Sequence, residues 1–369
     1  MPKFSVLNEG YSDHRRVSSA TGCNIKINGK WLLDTSMGYG THILGYGFAN
    51  ERIRQALDWG TLYSFPNILA DKCGELLNQA TGFENFVFCN SGSEATLRAI
   101  RLARAYTQRD KIAFFEGGWH GTHDWNLVNY SEGIPQSVKD QVIYLPYTDD
   151  AFEILRKERP ALVMVEPIQG SLPLDRGNFL YVLRKITQQY DVVLCFDEII
   201  SGFRSSLGGA SELYGIRPDL ACYGKIIGGG FPIGILAGDS IMKTSGVRWG
   251  GTFSGNPITM TGAIAVLEYL LNNNIYYDLK KNTESLIGTK TDKLQVIGFG
   301  NICRLLFTNR SISTLQERDN YELPKTEQNK ILDRFMELGL FIQKNHLIHF
   351  SIFHTPEKVR FIKECLSSL

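Results

Sequence analysis

No stretch of this sequence approaches the roughly 18 to 20 consecutive apolar residues that a membrane-spanning helix requires. The opening "MPKFSVLNEGYSDHRR" also holds no apolar run of signal-peptide length. The expectation is a soluble, cytoplasmic protein with no membrane partner. Surplus charge is missing too: 39 Lys and Arg face 38 Asp and Glu, for a formal charge of +1. That removes the electrostatic case for nucleic acid and leaves small molecules as the expected partners. Cysteine is unpaired in pattern, with seven residues at 23, 73, 89, 195, 222, 303 and 365, odd in number and nowhere spaced Cys-x-x-Cys. Reduced thiols follow, and a zinc site is not expected. Low-complexity tracts, linkers and internal repeats are absent as well.

What is present is a chain of 369 residues, 43% apolar and 21% charged, long enough for one large domain and a smaller one. Short β-rich runs recur at 85–90, 111–117, 161–167, 192–198, 219–225 and 233–239. Most are apolar throughout, which is what strands covered on both faces require. Helical patterns lie between several of them. Ala95, Ala99, Leu102, Ala103 and Tyr106 mark one such apolar face, and Ser91, Gly92, Ser93 and Glu94 before it read as a capping box. Strand and helix alternating over about 150 residues predicts an α/β domain with a mostly parallel sheet. Beyond "ITMTGAIAVLEYLLNNN" the pattern turns to mixed short elements. The predicted division is an N-terminal segment 1–42, a large domain 43–270 and a smaller α+β domain 271–369.

In open α/β sheets, ligands bind outside the carboxyl ends of the strands. Here five such ends, expected to be adjacent, offer Asn90, Ser91, Gly92 and Ser93 before a helix, then Trp119 and His120, then Glu166, then Asp197 and Glu198, then Lys225. Each has an ordinary reading beside a functional one. Ser-Gly-Ser is a helix cap or a phosphate cradle, and Trp119 a packing residue or a stacking platform. His120 with His123 is a surface pair or a weak metal pair, and no carboxylate or cysteine stands at ligand spacing. A carboxylate closing an apolar strand, as Asp197 does, needs a partner. A lysine there is solvated, or burial makes it a Schiff-base nucleophile.

The stretch "YGKIIGGGFPIG" tests two familiar phosphate motifs on order alone. A P-loop has glycines before its lysine and Ser or Thr after; here Lys225 precedes the glycines and Ile226 follows. A Gly-x-Gly-x-x-Gly fingerprint counted from Gly228 fails because Ile233 occupies the sixth position. A cofactor with an aldehyde, a phosphate and a ring nitrogen would use lysine, helix start and aspartate together, and pyridoxal phosphate is such a molecule.

The segments "NSGSEATLRAIRLARAYTQRDKI", "FEGGWHGTHD", "VEPIQG", "LCFDEIISGFRSSLGGASELYGIRPDLACYGKIIGGGFPIGILAG" and "GTFSGNP" together resemble the class III aminotransferases, fold-type I pyridoxal-phosphate enzymes, nearest the glutamate-1-semialdehyde 2,1-aminomutase branch. The resemblance is collinear over roughly residues 20 to 270. It implies that Lys225 forms the Schiff base and moves the proton, that Asp197 pairs with the pyridine nitrogen, and that Ile199 and Trp119 flank the ring. It further implies that Ser91, Gly92 and Ser93 form the phosphate turn and that His120 accompanies Trp119. Glu166 matches a buried acid near the site. Thr252 matches a threonine that reaches the phosphate of a neighbouring subunit, so a homodimer with shared sites is expected.

Three departures bear on substrate. The family's Pro-Tyr-Asn-Asp segment reads Pro146-Tyr147-Thr148-Asp149, which makes Thr148 a candidate substrate contact in place of an amide. The segment "LGLFIQKNHLIHFSIFH" lacks the glutamate of aminomutases and the carboxylate-gripping arginine of many aminotransferases, with His346 and His349 nearby. Arg15 and Arg16 are candidate anion contacts or a solvated pair. The leading expectation is an aminotransferase acting on an amine or amino-acid donor and a small ketone or aldehyde. The alternatives are an aminomutase and a non-catalytic binding protein, the latter disfavoured because Lys225 and Asp197 are both present.

Overall fold

The computed structural model describes residues 15–368. Its strands in chain order are β1 (Val17–Thr21), β2 (Asn24–Ile27), β3 (Lys30–Asp34), β4 (Asn85–Cys89), β5 (Ile112–Phe115), β6 (Val142–Leu145), β7 (Leu162–Val165), β8 (Val193–Asp197), β9 (Leu220–Gly224), β10 (Gly234–Gly238), β11 (Gln295–Phe299), β12 (Ile302–Leu306), β13 (Leu340–Phe341) and β14 (Leu347–Ile348). Seven of them form one sheet in the order β4-β10-β9-β8-β7-β5-β6. β5 to β9 pair in parallel, while β10 runs antiparallel to both β4 and β9. β7 to β10 are buried at every position, which accounts for their unbroken apolar sequence.

Two features depart from the sequence expectation. The strand ends that carry Ser91 and Lys225 are not neighbours, because β10 lies between β4 and β9 and points the other way. β6 is missing from the expected strands although its four residues, Val142–Leu145, are all apolar; it sits at the sheet edge and is buried only at Leu145.

Helix α1 (Gly92–Thr107) buries Ala95, Ala99, Leu102 and Ala103 as its periodicity predicts, but Tyr106 at its last turn is 59% exposed. Ser91 Oγ accepts the Glu94 amide N–H at 3.2 Å, while the Glu94 carboxylate accepts from the Asn90 amide at 2.7 Å. The capping box is therefore displaced by one residue from the reciprocal form. Helix α2 (Pro257–Asn272) starts on Pro257 behind Asn256, whose side chain accepts the Thr259 amide at 2.9 Å. It is buried on nearly every face.

β1 to β3 join β13 in a four-stranded sheet, with β13 parallel to β3, and β11, β12 and β14 make a three-stranded one. The N-terminal strands are thus completed by the C-terminal part of the chain. One apolar cluster runs through all of it, from Leu33 and Met37 past Phe203, Ile226 and Met260 to Phe307, Phe335 and Phe350. After β3, Met37, Gly38, Tyr39 and Gly40 hold φ of 48°, 61°, 58° and 84°, a left-handed turn costly for Met37 and Tyr39. Among the described residues, no helix is long and apolar enough to cross a membrane.

Candidate active site

A cavity of about 410 Å³ opens at the carboxyl ends of the parallel strands, and Lys225 stands in its wall. This lysine directly follows β9 with φ of 47°, and the chain turns through Lys225–Gly228 into Gly229 and Gly230 at φ 59° and 101°. Left-handed backbone at a lysine is a strained choice that the surroundings must enforce. The glycines take that curvature without side chains, and Gly230 lines the cavity. Lys225 Nζ has no hydrogen-bond partner among the described residues. Enclosure brings its ammonium down to about 8; the negative charges of Glu166 and Asp197 work against this, and Arg204 adds to it.

Asp197 ends β8 and is 3% exposed. Its Oδ2 lies 2.8 Å from His120 Nδ1 and its Oδ1 accepts the Ile199 amide at 3.1 Å, the partners that a buried carboxylate requires. His120 is itself buried, and its Nε2 is left without a partner. The adjoining Glu198 faces the other way: it accepts from Ser201, Ala210 and Ser211, so its role is structural. Glu166 follows β7 and lines the cavity, accepting the Trp119 amide on Oε2 at 3.3 Å. Burial pushes its carboxyl up to about 7; His120 and Lys225 offset this in part, and Asp197 adds to it.

The start of α1 supplies Gly92 and Ser93 to the same wall. Their amides belong to the first turn, where no intrahelical acceptor exists. Close packing explains the small residues here. A Cβ on Gly92 would meet Ile199 Cδ1 at 2.6 Å, and one on Gly121 would meet Ser93 Oγ at 2.5 Å. At Gly234, the first residue of β10, a Cβ would lie 1.9 Å from the Ser91 carbonyl oxygen. Trp119, 51% exposed, and Ile199 complete the part of the wall expected from sequence.

The other expected contacts lie elsewhere in the chain's own fold. Ser91 caps α1 without facing the cavity. Thr148 is exposed and donates to Asp150. Arg15 pairs with Asp333 at 3.0 Å and Arg16 donates to the Arg15 carbonyl, beside the C-terminal helices. Thr252 is on the surface. His123 caps a short helix by accepting the Asn126 amide. His346 and His349 are buried, with His346 pushed down to about 3 by burial and by Arg304, and His349 driven well down by burial, Arg204 and Lys225. Both rings are neutral near pH 7. Sequence reasoning missed Thr41, which reaches the wall from the left-handed turn, and Phe231, Pro232 and Ile233, which stand in the quoted glycine stretch itself.

The sequence profile of class III aminotransferases matches residues 7–356. A glutamate-1-semialdehyde 2,1-aminomutase of Thermodesulfovibrio yellowstonii is 38% identical over 296 residues, covering 73% of this chain and 69% of the relative. One from Archaeoglobus fulgidus is 34% identical over 372 residues, covering 92% and 88%. Among solved structures, an omega-transaminase from Sphaerobacter thermophilus superposes with a TM-score of 0.85 at 27% identity, covering 96% of this chain and 90% of that one. A glutamate-1-semialdehyde aminomutase of Pseudomonas aeruginosa, at 19% identity and a TM-score of 0.84 over 95% and 86%, shares the fold. With a family profile spanning nearly the whole sequence, and relatives above 30% identity covering more than two thirds of it, the chain belongs to the class III aminotransferases, pyridoxal-phosphate enzymes of fold-type I.

Proposed function

We propose that this protein is an aminotransferase that moves an amino group from an amine or amino-acid donor to a small ketone or aldehyde. The observation that supports it is a lysine amine without a hydrogen-bond partner among the described residues, in the wall of one cavity with a carboxylate held by a histidine. The residues fit pyridoxal phosphate. Gly92 and Ser93 offer first-turn amides for the phosphate, Asp197 offers a firmly held carboxyl group for the ring nitrogen, Trp119 and Ile199 offer apolar surface, and Lys225 offers the amine. When bound, the cofactor supplies an electron sink for charge at the carbon bearing the amino group.

The chain's own contribution is positional and acid-base. His120 and the Ile199 amide hold the Asp197 carboxyl group in place. Enclosure keeps part of Lys225 as free amine at neutral pH, able to take a proton at Nζ and return it. Among the described residues no arginine lines the cavity. The division at 43–270 and 271–369 is part of this proposal, as is a homodimer.

A second reading is favoured by the relatives named glutamate-1-semialdehyde 2,1-aminomutase, which points to movement of an amino group within one small skeleton. Borohydride reduction followed by peptide mapping should place a pyridoxyl label on Lys225 of the wild type and nowhere in Lys225→Ala, which should be inactive. A wild type that takes no label refutes the proposal. Conversion of glutamate-1-semialdehyde to aminolevulinate by the pure protein would select the second reading over the first.

A further inference from the structure

Of the two carboxylates that line the cavity, only Glu166 has an oxygen left over. Asp197 is engaged at both oxygens, Oδ2 by His120 and Oδ1 by the Ile199 amide. Glu166 is engaged at Oε2 alone, and no described residue bonds Oε1. It is 5% exposed and no described cation stands within ion-pair distance of it, a costly condition for a charged group. Lys225 Nζ shares the cavity and is also without a partner among the described residues.

We infer that Glu166 is the proton partner of Lys225, receiving at Oε1, through water or a substrate heteroatom in the cavity, the proton that the lysine ammonium gives up. The inference rests on the reading of Lys225 as the cofactor's lysine. In the transfer an N–H bond of the ammonium breaks and its electron pair stays on Nζ, while an O–H bond forms on Oε1. Ammonium and carboxylate become amine and carboxylic acid, with no further reactant and no change in net charge. Enclosure favours this exchange by lowering the lysine to about 8 and raising the glutamate to about 7, so that transfer between them is close to balanced. The other groups around Glu166 do not compete. His120 and Asp197 are joined to each other, and Tyr130 and Tyr147 are pushed upward, chiefly by burial.

The test uses the full-length apoprotein and pyridoxal phosphate itself. Capture of the cofactor on Lys225 is trapped with borohydride across a pH series, in the wild type, Glu166→Gln and Glu166→Asp. Removing the carboxylate withdraws what favours the ammonium, so the capture midpoint of Glu166→Gln should fall by at least half a pH unit. Glu166→Asp should recover most of the shift. Infrared difference spectra taken at fixed pH before and after capture should show a neutral-carboxyl stretch that grows with capture in the wild type and is missing from Glu166→Gln. If glutamine is not tolerated, the Glu166→Asp spectrum identifies the band and the same coincidence is sought. A capture profile unmoved by Glu166→Gln, or a band that does not grow with capture, overturns the inference and makes Glu166 a structural residue. Failure of wild-type Lys225 to take any label instead overturns the functional reading beneath it.

Discussion

Glu166 buries a carboxyl with one hydrogen bond, and the consequence for stability has a definite sign. Its pKa in the folded state, about 7, lies above the ordinary carboxylate value. The stability it contributes is therefore complete in acid below the ordinary value and is lost as pH rises through about 7. Glu166→Gln lacks that loss. Its melting temperature should gain on wild type as pH rises from about 5 to 8, by a few degrees in all, as differential scanning calorimetry of the apoproteins would show. His120 acts in the opposite sense, because it satisfies a charge. His120→Ala leaves Asp197 Oδ2 unpaired in a dry setting, at a cost of about 1–3 kcal/mol. Chemical denaturation should report that cost, and gel filtration should show cofactor lost at least tenfold faster.

At the scale of elements, β10 fixes the distance between the turn that follows β4 and the lysine that follows β9. Gly234 makes this possible by letting the Ser91 carbonyl rest against bare backbone. Gly234→Ala should destabilise the protein by about 1–3 kcal/mol and weaken cofactor affinity more than tenfold. A substitution at Gly74, which has open space around it and no left-handed backbone, should leave affinity unchanged. Titration of apoprotein with cofactor, followed by absorbance, distinguishes the two. The strands themselves were readable because burial on both faces writes a continuous apolar run. β6 carries such a run as well, Val142 to Leu145, although in this edge strand only Leu145 is buried. The reversed direction of β10 was not readable, for an apolar run carries no sign of which way its strand points. The site divides along the same line. Asp197, Glu166, Trp119, His120 and Lys225 follow from the rule about strand ends. Thr41 comes from a left-handed turn set by distant packing, and nothing near residue 41 in the sequence announces it.

For the whole molecule, Arg204 ties remote parts of the chain to one point. Its guanidinium donates to the Gly40 carbonyl at 2.6 Å and to the Phe350 carbonyl at 3.2 Å, and its own carbonyl accepts from Asn301. On the outside, Phe65 and Ile68 are 83% and 82% exposed, and Trp59 and Phe253 about 60%. Asn67 donates to the Gly255 carbonyl, so the two stretches lie side by side, and Thr252 lies in the second of them. An apolar surface of this kind supports the proposed homodimer. Phe65→Glu combined with Ile68→Asp should shift the protein to a monomer in sedimentation velocity while leaving its circular dichroism unchanged. A protein already monomeric without these changes would remove the proposal.

The reversed strand has a consequence for entry. Lys225, Asp197, Glu166 and the Ser91 turn all hang from a single hydrogen-bonded sheet, which cannot part without breaking its ladder. The residues that carry the chemistry are therefore held rigidly to one another, whereas Thr41 reaches the same wall from a turn moored by Arg204 to the C-terminal segment. The arginine is placed to act as a hinge pin, and its replacement should be felt first in how fast ligands come and go.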